Sequence, residues 1–72
     1  MSLDTRKAPI GKFIIGEADT SEDCWGQIGE PYDTVLAAQA AASALKMHAA
    51  PQLGYFIYNE NGLMPAEMQV AW

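Results

Sequence analysis

Residues 33–50 read Asp33-Thr34-Val35-Leu36-Ala37-Ala38-Gln39-Ala40-Ala41-Ala42-Ser43-Ala44-Leu45-Lys46-Met47-His48-Ala49-Ala50, with neither Gly nor Pro before Pro51. Alanine loses no side-chain entropy in a helix, so a run this rich in it predicts one. Asp33 is the predicted N-cap, its carboxylate accepting from the free N–H groups of the first turn and opposing the positive dipole end. Lys46 and His48 stand near the other end, where positive charge is favoured, and Pro51 prevents continuation. Gln39, Ser43 and Lys46 follow the i, i+4, i+7 spacing and form a narrow polar stripe. Leu36, Ala40 and Met47 flank that stripe, while Val35, Ala38, Ala42, Leu45 and Ala49 fill the far face. The apolar arc is wider than a helix with one covered side needs, and its small side chains let a neighbouring backbone approach closely.

On the N-terminal side, Ile10-Gly11-Lys12-Phe13-Ile14-Ile15-Gly16-Glu17 predicts a strand after Pro9. Asp19-Thr20-Ser21-Glu22-Asp23 is a turn or loop, and Cys24-Trp25-Gly26-Gln27-Ile28 reads either as its continuation or as a short second strand, broken by Gly29-Glu30-Pro31. On the C-terminal side, Gly54-Tyr55-Phe56-Ile57-Tyr58 combines aromatic and β-branched residues and predicts a strand. Asn59-Glu60-Asn61-Gly62 has the chemistry of a type I turn closed by a bulge, with Gly62 at the left-handed position. Met64, Ala66, Met68, Val70 and Trp72 are apolar at a spacing of two, with Glu67 and Gln69 pointing the other way, so residues 64–72 predict the hairpin's second strand. Pro65 places it at an edge or bulge. The competing reading of this segment is a short helix with Pro65 at its first position and Glu67 in its first turn. The expected fold class is α+β: one Ala-rich helix on a small, mostly antiparallel sheet of three to four strands, in the order β-(β)-α-β-β.

A chain of 72 residues is expected to form a single domain over residues 1–72, with a core that is marginal unless something staples it. One Cys excludes an internal disulfide, and one Cys with one His is too few for a closed zinc site. No cofactor or metal is expected, and oligomerisation remains as the staple. No apolar run approaches a membrane span and no secretory signal is evident, so the expectation is a cytoplasmic protein with no membrane partner. The formal net charge is −5, without the clustered Lys and Arg that nucleic acid or anionic lipid would require. Glu17, Asp19, Glu22, Asp23, Glu30 and Asp33 fall between Lys12 and Lys46 with no basic residue among them. That stretch lacks the alternating ligands and central Gly of a calcium loop and reads as a solvated acidic segment.

Phe13-Ile14-Ile15 and Tyr55-Phe56-Ile57-Tyr58 are apolar at consecutive positions and send large side chains to both sheet faces. One helix covers one face. The second face is expected to take a copy of the chain or a protein partner, with Phe13, Ile15, Trp25, Tyr55, Ile57 and Trp72 as candidate interface residues. The alternative cover is the loop after Glu17, folded back with Trp25 and Ile28. The function expected from the residues is a non-enzymatic interaction module that self-associates through the sheet face. The alternative is a small-ligand or enzymatic domain using Cys24 as nucleophile and His48 as base, oriented by Asp19, Asp23 or Asp33. Glu22 and Asp23 beside Cys24 disfavour a thiolate, no nucleophile-elbow, phosphate-loop or metal-helix signature is present, and Cys24 is expected as a small buried hydrophobe beside Trp25.

Over about the middle third of the chain, Cys24, Gly29-Glu30, Asp33-Thr34 and the Ala-rich helix through Lys46-Met47-His48 resemble the strand-turn-helix segment of HicB-type antitoxins. The resemblance implies an antitoxin-type domain as a further alternative. The chain departs from that pattern in spacing, and at Ser21-Glu22-Asp23, where the family has Asp-Leu-Pro-Gly.

Overall fold

A computed structural model describes residues 7–22 and 24–71. Helix α1 spans Val35–Met47, one turn shorter than its Ala-rich sequence. Thr34, not Asp33, caps it: the Thr34 hydroxyl accepts from the Ala37 N–H at 3.1 Å. Asp33 is instead paired with the Lys12 ammonium, which draws its carboxylate away from the helix end. At the other end His48 leaves helical geometry; its N–H donates to the Leu45 carbonyl and the Ala49 N–H donates to the Lys46 carbonyl, each at 3.2 Å.

Among the described residues four strands form one antiparallel sheet: β1 (Phe13–Asp19), β2 (Cys24–Tyr32), β3 (Leu53–Asn59) and β4 (Gly62–Leu63), in the spatial order β2-β1-β3-β4. The architecture is therefore one helix packed on a four-stranded sheet, with chain order β-β-α-β-β, an α+β fold. Strand β1 starts at Phe13 rather than Ile10, because Ile10 and Gly11 form a turn closed by the Lys12 N–H to the Pro9 carbonyl at 3.0 Å. Strand β2 forms and runs on through Pro31, absorbing the extra residues as an irregularity: Ile15 lies opposite Ile28, but Phe13 lies opposite Tyr32. Gly29, at φ 75°, lies in that irregular stretch. The β3–β4 turn follows its sequence, with Gly62 at φ 117° and the Asn59 carboxamide accepting from the Asn61 N–H at 2.8 Å.

Beyond Leu63 the predicted long strand does not form. Pro65 opens a single 3-10 turn, Ala66–Met68, and the chain returns to β3 only at Ala71, which bridges Tyr55. Gln69 closes the gap between them. Its side-chain carbonyl accepts from the Ile57 N–H at 2.7 Å, and its NH₂ donates to the Ile57 and Met64 carbonyls at 3.0 and 3.1 Å. A side chain thus takes the place of a ladder residue.

The core has two layers, set by the alternation of β1 and β3. Ile15, Tyr55 and Ile57 face the helix and pack with Ala38, Ala42 and Ala71. The buried helix residues are alanines, which lets α1 lie close to the sheet. Ile14, Tyr58 and Ala8 form the second cluster on the opposite face, with Trp25 and Phe56 packed against it. The Trp25 ring lies directly over Gly16, where a Cβ would fall 2.4 Å from it, so only glycine fits beneath. Trp25 meets Tyr58 edge-on at 5.7 Å between centroids and donates from Nε1 to the Tyr58 hydroxyl at 2.9 Å. On the second sheet face Ala8 and Trp25 thus pack over Ile14 and Tyr58 from within the subunit. Ile28, expected to accompany Trp25, faces the helix instead.

Candidate functional site

The helix crosses the sheet off-centre. Gln39 donates to the Met68 carbonyl at 3.0 Å and Lys46 donates to the Leu53 carbonyl, so two members of the polar stripe tie α1 to the β3 side. Toward β2 no comparable hydrogen bond holds it among the described residues, and a groove of about 460 Å³ opens between α1 and β2. Its walls are apolar: Ile28 and Tyr32 on the strand, Ala41, Ala44 and Leu45 on the helix, with His48 at one end. Gly29 completes the strand-side wall.

Two further features adjoin the groove. The outward face of α1 carries Leu36 and Met47, 74% and 81% exposed, with exposed Ala40, Ser43 and Ala44 between them. Charge is absent from that face between Leu36 and Ser43. The sheet, in turn, ends on β2, whose residues Cys24–Gly29 bear no charge.

The six residues expected to share an interface do not share a face. Ile15 and Ile57 have no exposed surface, Tyr55 is 3% exposed, and all three lie with half-buried Phe13 in the cluster beneath α1. Trp25 is on the opposite side of the sheet, and Trp72 lies outside the described residues. The consecutive apolar residues of β1 and β3 point to both sheet faces, where the helix alanines on one side and Trp25 on the other pack against them.

Cys24 is exposed rather than buried, because it sits at the start of the terminal strand, and its thiol donates to the Glu22 carbonyl at 3.5 Å. His48 lines the groove and Cys24 does not. Among the described residues no three His, Cys, Asp or Glu side chains converge as a metal site would need. Asp19 is used locally: its carboxylate accepts from the Ser21 hydroxyl and N–H and from the Glu22 N–H, and the Ser21 hydroxyl bond foremost lowers its pKa. On β1, Glu17 accepts from the Tyr55 hydroxyl at 2.7 Å. Tyr55 is raised above the usual phenol value, first by burial and then by the Glu17 hydrogen bond and charge.

The chain matches no protein-family model, no curated protein and no solved structure. The antitoxin resemblance thus rests only on the residues that suggest it. No helix among the described residues is long and apolar enough to cross a membrane.

Proposed function

We propose that this chain is a non-enzymatic interaction module that self-associates through the outer face of α1. The observation that carries the reading is the exposure of Leu36 and Met47 on a helix face with only Ala and Ser between them. Large apolar side chains grouped on a surface mark interfaces more often than solvent-facing structure. The spacing of Leu36, Ala40, Ser43 and Met47 is four, three, four, the seam of a helix pair. It reads the same in both directions. A second copy laid antiparallel therefore sets Leu36 against the other copy's Met47 and Ala40 against its Ser43, as a two-fold interface requires. The small central residues permit close approach, and antiparallel helix dipoles attract.

A helix of this length offers a contact about 20 Å long. That is small beside the roughly 800 Å² per partner of a standard interface, so the dimer should dissociate on dilution. Sedimentation velocity from a few micromolar to several hundred micromolar tests it. The expected result is a mass rising from the 7.8 kDa monomer toward twice that value, and a monomer throughout for Leu36→Glu/Met47→Glu with unchanged circular dichroism. Wild-type protein that stays monomeric over the whole range overturns the proposal, and a dimer that survives the double substitution moves the contact off the helix.

A further inference from the structure

The two margins of the sheet are treated differently. Along β3, the outer backbone is occupied by β4 at Tyr58 and Asn59, by the Gln69 side chain at Ile57 and by Ala71 at Tyr55. Strand β2 is the other margin, and among the described residues no strand pairs with its outer side. Soluble proteins protect such edges with charge, proline or a bulge, because a row of backbone donors and acceptors templates pairing with another chain. Here the irregularity around Gly29–Pro31 protects only the far end; Cys24–Ile28 is regular against β1 and carries no charge. The apolar groove runs alongside this edge, between β2 and α1.

We propose that the β2 edge and the adjoining groove bind an extended segment of another protein, with a large apolar anchor residue and basic flanks. A strand added to β2 would lie about 4.8 Å from it, with alternate side chains pointing to the helix side. Ile28 faces that side and forms part of the groove wall, so the incoming residue beside it delivers its side chain into the space lined by Ala41, Ala44 and Leu45. The groove's 460 Å³ accepts an aromatic ring. Charge selects the flanks. Exposed Glu22 precedes the strand and exposed Glu30 lies near its end, with no basic residue from Thr20 to Asp33. The same charges disfavour a second copy in this position: antiparallel pairing about Gly26 would set Glu22 of each copy against Glu30 of the other.

The test is a titration of ¹⁵N-labelled protein with the peptide Lys-Lys-Val-Thr-Phe-Thr-Val-Lys-Lys and with the same peptide carrying Glu for every Lys. The basic peptide should bind with a Kd of about 10–100 μM, as a short transient contact does. It should shift the Gly26, Gln27, Ile28 and Gly29 amides together with Ala41, Ala44 and Leu45. The acidic peptide should bind at least about tenfold more weakly, and Glu22→Lys/Glu30→Lys should reverse that order. Ala44→Trp, at an exposed helix position that fills the groove without disturbing the fold, should abolish binding. No binding at millimolar peptide, equal binding of the two peptides, or shifts that avoid β2 would each overturn the proposal. So would protection of the Gly26–Gly29 amides from exchange that grows with protein concentration in the absence of peptide, which would make a second copy the occupant.

Discussion

Gln69 illustrates a residue whose work is invisible to pattern reading. In the alternation of residues 64–72 it counts as an outward polar position of a strand, yet it is 8% exposed, with its amide inserted into the β3 ladder. A carboxamide carries the same donor and acceptor as a peptide group, so it can stand in for one, and nothing in hydrophobic period marks where that happens. Gln69→Leu keeps most of the volume and leaves the Ile57 N–H without this partner. The expected loss is about 1–3 kcal/mol, a large fraction of a small domain's stability. Gln69→Glu, which keeps the acceptor and loses the donors, should also destabilise. Urea unfolding measures both, and a Gln69→Leu variant as stable as wild type would show that β3 does not depend on this amide. Gly16 and Trp25 pose the same difficulty for a sequence reader. A glycine inside a strand has a reason only when the register that brings an indole over it is known.

Elements were more legible than residues. The helix follows from alanine content alone, and the Gly62 turn from its Asn and Gly positions. The ends were less so, because they are decided by tertiary partners: Lys12 takes Asp33 from the cap, and the Pro9–Lys12 turn delays β1. Strand β2 was open in sequence since Gly29-Glu30-Pro31 punctuates it, and pairing with β1 carries the chain through that interruption. The helix faces were legible on the buried side and not on the polar side. Ala42 has no exposed surface and lies on the core cluster, so Ala42→Glu buries a charge without a partner and should cost several kcal/mol, on the order of the domain's whole stability. Gln39→Glu, which by stripe position alone would be silent, replaces a donor to the Met68 carbonyl with a repelling carboxylate and should fall between Ala42→Glu and wild type. Thermal melts rank the three proteins, and equal stability of the two variants would mean that the burial of Ala42 carries no weight.

At the scale of the whole molecule, two thin core layers share one small sheet, and the layer beneath α1 contains a polar cross-link between the central strands: the Tyr55 hydroxyl on the Glu17 carboxylate. Neither partner announces this in sequence, where Glu17 reads as a strand end and Tyr55 as an apolar face residue; antiparallel pairing sets them opposite each other. Burial raises the Tyr55 pKa, and the Glu17 bond and charge raise it further, because an ionised phenol here would lose its donor and face a carboxylate. The sign follows. With the folded pKa above the unfolded value of about 10, the unfolded chain releases its proton first, so Tyr55 imposes no penalty below that pH and draws stability down as pH rises through it toward the folded value. Unfolding temperature should therefore be insensitive to Tyr55 between pH 7 and 9 and decline above about pH 10, on top of whatever the other ionising groups contribute. Tyr55→Phe removes the titrating hydroxyl while keeping the ring, at the expense of one hydrogen bond to Glu17. It should start less stable at pH 8 and lose less on going to pH 11, so that the two curves converge. Parallel curves over that range would show that Tyr55 ionises as readily in the folded chain as in the unfolded one, and that the cross-link does not hold the phenol neutral.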